Sequence, residues 1–277
     1  MAKKTWSQLR DIIEQILEDE TNATFDTTAL DIFMRRGLEE ISQYVPYIEK
    51  ETATTTADSR VLDISSITDL IFIDRLEYPV DEDPREFHNW DEREEGSIEI
   101  DTCRTPDADE SVYLFCAKLQ RLTETDDLVG AIDNAPSGYA AGVATIHVDT
   151  LGTGTIYKNT KFTITGDTTT YRVTSDVTLA TNECDLAISP VLAAAVADNV
   201  VVTLETSTLN PTLERIFCDL VAGRAAINYP RAQFNATNVG GVNAPDRLKA
   251  WGREKVSEAL FQLQPLTFVR DNKSYPQ

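Results

Sequence analysis

The 277-residue sequence has few of the residues that build catalytic and metal centres. It contains two histidines and four cysteines, and no two cysteines have C-x-x-C spacing. The cysteines stand in apolar or strand-like segments, which favours reduced core thiols over disulfides or metal ligands. The sequence also lacks a G-x-x-x-x-G-K-[ST] phosphate loop and a serine in a nucleophile elbow. These absences argue against nucleotide-dependent and hydrolytic chemistry.

Basic residues and long apolar runs are also scarce. Lysine and arginine total 25 against 46 aspartates and glutamates, for a formal charge of −21. Because affinity for duplex DNA comes mostly from neutralised phosphates, such a chain is expected to repel nucleic acid. No apolar run reaches the ~18 residues that span a bilayer, and the N-terminal residues lack an apolar signal core. We therefore expect no membrane association and synthesis in the cytoplasm.

The candidate chemical groups do not form a recognisable centre in the sequence. His88 stands near Asp91 and Glu92, as an acid–base or metal site would require, but His147 is the only other histidine and lies in a distant predicted strand. Residues 81–83 are all acidic, yet they lack the ligand spacing and glycine of a calcium loop. The prediction is no catalytic residue, no metal and no cofactor, hence no enzyme.

Helical periodicity is strongest near the two ends of the chain. Apolar residues recur at helical spacing after an N-cap at Thr5 or Ser7, and again after a cap at Asp26 or Thr27 up to Pro46. Asn210-Pro211 is typical of an N-cap followed by proline. A fourth helix follows a glycine-rich link. Between Ile48 and Leu119 the period changes to two, which predicts a small antiparallel sheet. The predicted fold is α+β, a helical bundle with a small antiparallel sheet, carrying an inserted all-β sandwich- or barrel-like domain.

The segment from Ile71 to Trp90 carries the most specific pattern. Leu70 to Ile73 form an apolar run typical of a strand buried on both faces, and an acidic, proline-flanked turn follows it. The spacing of Phe87 and Trp90 predicts a short helical turn that places both rings on one side. Together with Tyr78 these aromatics form either a local core or a contact with a neighbouring subunit.

The residues Arg75-Leu76-Glu77-Tyr78-Pro79-Val80, Asp83-Pro84-Arg85, Phe87 and Trp90 resemble the head-to-tail adaptor proteins of tailed bacteriophages. The order of helices and strands is also similar to that family over residues 5–127 and 209–264. The chain departs from short members of the family by its β-rich insertion.

The resemblance implies a structural virion protein at the neck, the head–tail junction. Members form a ring, usually a dodecamer, that docks on the portal protein and offers a platform to tail or nozzle proteins. The expected partners are therefore the portal, the tail or nozzle proteins and copies of the chain itself. Genomic DNA would pass through the acidic channel without specific binding.

Three parts of the chain are predicted. Residues 1–127 and 205–264 form the helical adaptor core with its sheet, residues 128–204 form the inserted β domain, and residues 265–277 form an extended C-terminal arm. The C-terminal region is basic on an acidic protein, with nine bases against six acids over residues 209–277. We predict portal contacts at Leu266, Phe268, Arg270 and Lys273; a frayed terminus without a role is the alternative.

A second function from another class also fits the sequence. The β insertion could be the binding module of a carbohydrate or cell-surface binding protein, with the helices as its carrier. Mass in solution with and without portal, together with glycan binding, separates the two hypotheses.

Overall fold

The computed structural model describes residues 3–125, 127–134, 137–179, 181–205, 207–228 and 244–268. The helices are α1 (Trp6–Ile16), α2 (Thr27–Tyr44), α3 (Pro211–Ile227) and α4 (Ala244–Leu263), followed by a 3-10 turn (Gln264–Leu266). The strands of the first half are β1 (Tyr47–Thr54), β2 (Val61–Asp63), β3 (Leu70–Glu77), β4 (Phe87–His88), β5 (Trp90–Glu94), β6 (Ser97–Ile100) and β7 (Ser111–Lys118). Those of the second half are β8 (Val129–Ile132), β9 (Thr145–Asp149), β10 (Gly154–Ile156), β11 (Lys161–Ile164), β12 (Thr170–Val173), β13 (Val177–Leu179), β14 (Cys184–Ser189) and β15 (Val201–Leu204).

The predicted fold class is wrong, because strands and not helices dominate the chain. The structure is 27% helical, and its largest strand assembly is a closed six-stranded antiparallel barrel. Between residues 47 and 118 seven strands form two sheets where one small sheet was expected. A strand as short as Phe87–His88 spans a single period-two repeat, so it leaves almost no signal in the sequence, whereas long amphipathic helices are conspicuous.

The chain divides into two compact units. One unit comprises residues 1–34 and 121–259, and the other comprises residues 35–120 and 260–277. The barrel therefore belongs to the same unit as α1, α3 and most of α4. Independent folding of residues 128–204 stays a prediction.

In the first unit, side-chain caps fix the starts of two helices: Thr5, one of the two candidates, caps α1, and Asn210 caps α3 as expected. Thr5 and Gln8 form a reciprocal capping box at the start of α1, and the Asn210 side chain accepts the N–H groups of Thr212 and Leu213 at the start of α3. Helix α1 packs on α3, where the Cys218 thiol lies 3.9 Å from the Leu9 carbonyl. Each helix thus begins at a satisfied cap and buries its apolar face on the other.

The barrel has the strand order β11-β12-β14-β9-β8-β15, with every neighbouring pair antiparallel. Its strands alternate buried and more exposed residues, as period two requires. The buried residues fill the interior, among them Ile146, Val148, Phe162, Tyr171 and Leu186. All of its strands lie within the segment that was predicted to be rich in β-structure.

The second unit contains a four-stranded sheet with the order β1-β7-β3-β4 and a three-stranded sheet with the order β2-β6-β5. The inner face of the larger sheet belongs to one apolar cluster of buried residues: Leu62, Ile73, Leu76, Tyr78, Ile98, Ile100, Val112, Leu114 and Cys116. Lys118 lies at the end of the same face and is fully buried. Its ammonium lies 3.2 Å from the Glu49 carboxylate and is also paired with Glu51. Two carboxylates thus compensate the buried cation.

Two local predictions in this unit are wrong. Ile73 is 5% exposed but Ile71 is 38% exposed, because the register shifts between Leu70 and Phe72 and interrupts the alternation of side chains. Phe87 and Trp90 lie in strands β4 and β5 and not in a helical turn. None of the helices in the described part of the chain has the length and apolar character of a membrane span.

Candidate assembly surfaces

The outer face of the four-stranded sheet carries a group of aromatic side chains. In the antiparallel register Arg75 lies opposite Phe115, and Glu77 lies opposite both Tyr113 and Phe87. Paired residues point to the same side of a sheet, so the three rings and the guanidinium share one face. All three aromatic residues are half-buried. We call the set of Tyr113, Phe115, Phe87, Arg75 and Lys50 the aromatic face.

Two cations lie over the rings of the aromatic face. The Arg75 guanidinium carbon is 5.2 Å from the centroid of Phe115 and 5.8 Å from that of Phe87, and the two rings meet edge to face at 6.4 Å. The Lys50 ammonium is 3.7 Å from the centroid of Tyr113. Such contacts order long side chains on a surface. Aromatic residues and arginine are also the residues most enriched at the centres of protein interfaces.

The sequence motif around Tyr78 braces the turn that precedes Phe87. Glu77, whose side chain is 1% exposed, accepts a hydrogen bond from the Asp81 N–H at 3.1 Å and lies 3.8 Å from the Arg85 guanidinium. The Tyr113 hydroxyl donates to Asp81 at 3.0 Å. The turn is therefore fixed by side-chain contacts at Asp81, near its start, and at Arg85, near its end. These contacts hold β4 and the Phe87 ring in place.

Tyr78 occupies the core of its unit, whereas the other two predicted subunit contacts keep exposed surface. Tyr78 is 2% exposed and its hydroxyl donates to Glu110; burial first, and then this bond, raise the pKa of Tyr78 to about 12. Trp90 is half-buried on β5 and packs against the inner apolar cluster. Phe87 belongs to the aromatic face. Contact with a neighbouring subunit at Phe87 and Trp90 stays a prediction.

The predicted portal contacts lie at the end of the described chain. The Phe268 N–H donates to the Tyr44 carbonyl at 2.7 Å, and the Phe268 ring lies 5.9 Å from that of Phe72. Leu266 is 42% exposed. Arg270 and Lys273 lie outside the described residues. The beginning of the arm is thus anchored on its own unit, with Leu266 open to a partner.

An acidic edge borders the three-stranded sheet. Strand β5 is one of its two edge strands, and Asp91, Glu92, Glu94 and the following Glu95 are all exposed, with Arg93 among them. Beside this edge lies a cleft of about 430 Å³, lined by residues 92–98 on one side and by Ile64 and residues 70–73 on the other. A row of carboxylates on an edge strand blocks strand addition and repels phosphate.

The histidines stand in different surroundings. His88 has its Nδ1 3.1 Å from the Asp101 carbonyl, within the sheet region of the second unit. His147 lies on the outside of the barrel, where strand pairing brings it to Asp133, Glu183 and Asp185. Its hydrogen bond with Asp185 raises the pKa of the imidazole. The sequence separates these groups by up to 52 residues, so only the register of the barrel strands reveals the cluster.

Comparisons with protein-family models, with curated proteins and with solved structures find no match to this chain.

Proposed function

We propose that the chain is a structural adaptor that forms a ring at the head-to-tail junction of a tailed phage. The observation that supports this proposal best is the aromatic face, where two cations lie over half-buried rings on an open sheet surface. A monomer gains little from keeping this combination at its surface, while a neighbouring subunit that covers it would remove the three rings and the Arg75 guanidinium from water.

The acidic edge supports a second part of the same function. Duplex DNA leaving a capsid has to slide past the adaptor without adhering. The exposed carboxylates of Asp91, Glu92, Glu94 and Glu95 repel phosphates over about the Debye length, ~8 to 10 Å at physiological salt. In the proposed ring this edge lines the channel.

The residues that resemble the adaptor family have a physical role that fits the proposal. Glu77, Asp81 and Arg85 hold the turn before Phe87, so the motif presents an aromatic ring on the aromatic face. A catalytic motif would need a pocket and a reactive group, whereas this motif holds an aromatic ring in a fixed position on the surface. The adaptor makes no chemical change to its partners.

The test is the mass of the chain with and without portal rings of the phage that encodes it. We expect a monomer alone, and portal rings that gain a full ring of copies on mixing. Arg75→Glu places a negative charge over Phe115 and Phe87 and should lower the number of bound copies at least tenfold at a fixed subunit concentration.

Arg36→Glu is the matched control, since it makes the same change of charge at an exposed position of α2. Equal loss in both variants would contradict the role of the aromatic face while leaving the adaptor function in place. Absence of wild-type binding to the portal, with binding to glycans, would instead support a carbohydrate or cell-surface binding protein.

A further inference from the structure

Three strands of the barrel place ionisable groups side by side on its outer surface. Strand β9 pairs with β8 on one side and with β14 on the other. His147 on β9 lies opposite Asp185 on β14, and its carbonyl accepts the N–H of Asp133, which directly follows β8, at 3.1 Å. The residues adjacent to His147, Ile146 and Val148, are fully buried. Alternation along the strand therefore turns the imidazole outward.

The imidazole is held by Asp185 through one ring nitrogen, and its other nitrogen lies on the side of Glu183. Nδ1 of His147 lies 2.7 Å from the Asp185 carboxylate. Nε2 lies 3.7 Å from Glu183, and the nearest ligand atoms of Asp133, His147 and Glu183 all fall within 4.8 Å of one another. A carboxylate on one ring nitrogen fixes the tautomer and orientation of a metal-binding histidine through the other nitrogen.

The charges of the cluster also favour a cation. Three carboxylates, those of Asp133, Glu183 and Asp185, surround one imidazole. Even a protonated imidazole would leave a formal charge of about −2 in the group. Exposed Asp133 and Glu183 have room to rotate, which brings their oxygens from the observed spacing to the ~2.0 to 2.2 Å bonds of a transition-metal ion.

We propose that Asp133, His147 and Glu183 bind a divalent transition-metal ion, with Asp185 as the residue that positions the imidazole. A mixed nitrogen and carboxylate set favours ions such as Zn²⁺ or Co²⁺ over Ca²⁺ and Mg²⁺, which prefer oxygen alone. Three protein ligands leave at least one position for water or for a ligand from a partner. The bound ion joins β8, β9 and the turn before β14, and so stabilises the barrel by mass action.

Metal binding is measured on the full chain carrying Cys103→Ser, which removes the exposed thiol as a competing ligand. Co²⁺ is titrated by its visible absorption and Zn²⁺ by calorimetry after treatment with a chelator. We expect one equivalent of each ion to bind. His147→Gln and Glu183→Gln should each weaken binding at least tenfold, and Asp185→Asn should weaken it less than His147→Gln does.

His88→Gln is the matched control, because it removes the other histidine of the chain. It should bind Co²⁺ and Zn²⁺ as the parent does. Absence of stoichiometric binding in the parent would overturn the proposal, and so would equal binding by His147→Gln and the parent. If His147→Gln does not fold, the comparison of Glu183→Gln with the parent tests the proposal instead. Glu183 is an exposed residue that directly precedes β14, so its substitution should leave folding intact. The result does not depend on the adaptor function, which no metal titration measures.

Discussion

At the scale of single residues, a buried hydroxyl connects the barrel interior to its rim. The Tyr171 ring is fully buried and stacks on Phe162 at 5.5 Å. Its hydroxyl donates to Asp167 and accepts the Ala193 N–H at 3.1 Å. One side chain therefore contributes both apolar packing and two hydrogen bonds.

Tyr171→Phe should lower the free energy of unfolding by about 1 to 2 kcal/mol at pH 7, since the ring stays packed while two hydrogen bonds are lost. The measurement is chemical unfolding of the variant and the wild type. Tyr113→Phe is the control: its hydroxyl donates to Asp81 at 3.0 Å on the surface, where water replaces the bond, so its cost should be smaller. An equal loss in both variants would contradict the account.

The hydrogen bond between Tyr171 and Asp167 also makes the free energy of unfolding depend on pH. The Tyr171 hydroxyl is the main cause that holds the pKa of Asp167 below its ordinary value of 3.8. The unfolded chain binds the proton more readily, so this stabilisation is present above pH 3.8 and is lost as the pH falls through the folded pKa. The difference in stability between wild type and Tyr171→Phe should therefore shrink below about pH 3.8. A constant difference from pH 7 to pH 3 would contradict the assignment.

Single residues were predictable where a local rule applies: capping chemistry pointed to Asn210 and, as one of two candidates, to Thr5, and the apolar run pointed to the burial of Ile73. The burial predicted from the sequence is wrong at Ile71, where a register shift breaks the alternation of side chains. The full burial of Lys118 was also not predictable, because a lysine is expected to be exposed. The partner Glu49 is 69 residues away in the sequence, and only the pairing of β1 with β7 brings them together.

At the scale of elements, two glycines set the approach of α3 and α4. A Cβ on Gly252 would lie 2.7 Å from the Gly223 carbonyl oxygen, and a Cβ on Gly223 would lie 2.8 Å from the Gly252 carbonyl oxygen. The two backbones are therefore in direct contact. The Lys255 ammonium, 3.2 Å from Asp219, adds an ion pair between the same helices.

Gly252→Ala should destabilise the chain, although alanine favours a helix by about 1 kcal/mol over glycine. The methyl group has no space, and overpacking of this kind costs about 1 to 3 kcal/mol. The check is the midpoint of chemical unfolding. Ser257→Ala, at an exposed position of α4, should be neutral or slightly stabilising. A Gly252→Ala variant more stable than wild type would show that the helices do not pack at this distance.

Helices α1 to α4 were predictable as elements because each has a cap, a proline boundary or an apolar stripe. The shortest strands and the closure of the barrel could not be predicted from the sequence. Closure depends on the pairing of β8 with β15, whose residues lie about 70 positions apart, and local propensity carries no information about such a pairing. For the same reason the His147 cluster could not be found from the sequence.

At the scale of the whole molecule, the two segments that enter and leave the barrel run side by side. Leu122 and Ser207 form an antiparallel bridge. The Arg121 N–H donates to the Thr208 hydroxyl at 2.8 Å, and the Thr208 N–H donates to the Arg121 carbonyl at 3.0 Å. The segment that precedes the barrel and the segment that follows it are therefore hydrogen-bonded neighbours.

Replacement of residues 128–204 by a short Gly/Ser linker should therefore leave a soluble protein that still folds and still joins the portal, because the linker has only a small gap to close. Circular dichroism and portal co-sedimentation are the measurements. Residues 121–208 expressed alone should give a folded barrel and serve as the complementary control. Loss of all soluble protein in the deletion variant would show that the barrel belongs to the same folding unit as the helices.

The grouping of the chain into two units was not predictable, because distant segments determine it. The Lys4 N–H, for example, donates to the buried Glu214 carboxylate at 2.9 Å across 210 residues of sequence. Such a contact follows from the packing of α1 on α3, and no local pattern specifies it.

The position of the chain in the virion tests the central claim most directly. Purified phage particles are labelled with gold-conjugated antibody against the barrel and imaged, first intact and then after separation of heads from tails. The adaptor account predicts label confined to the neck, with label retained on heads that keep their portal. Label at the tail tip or on fibres, or particles without any label, would contradict it.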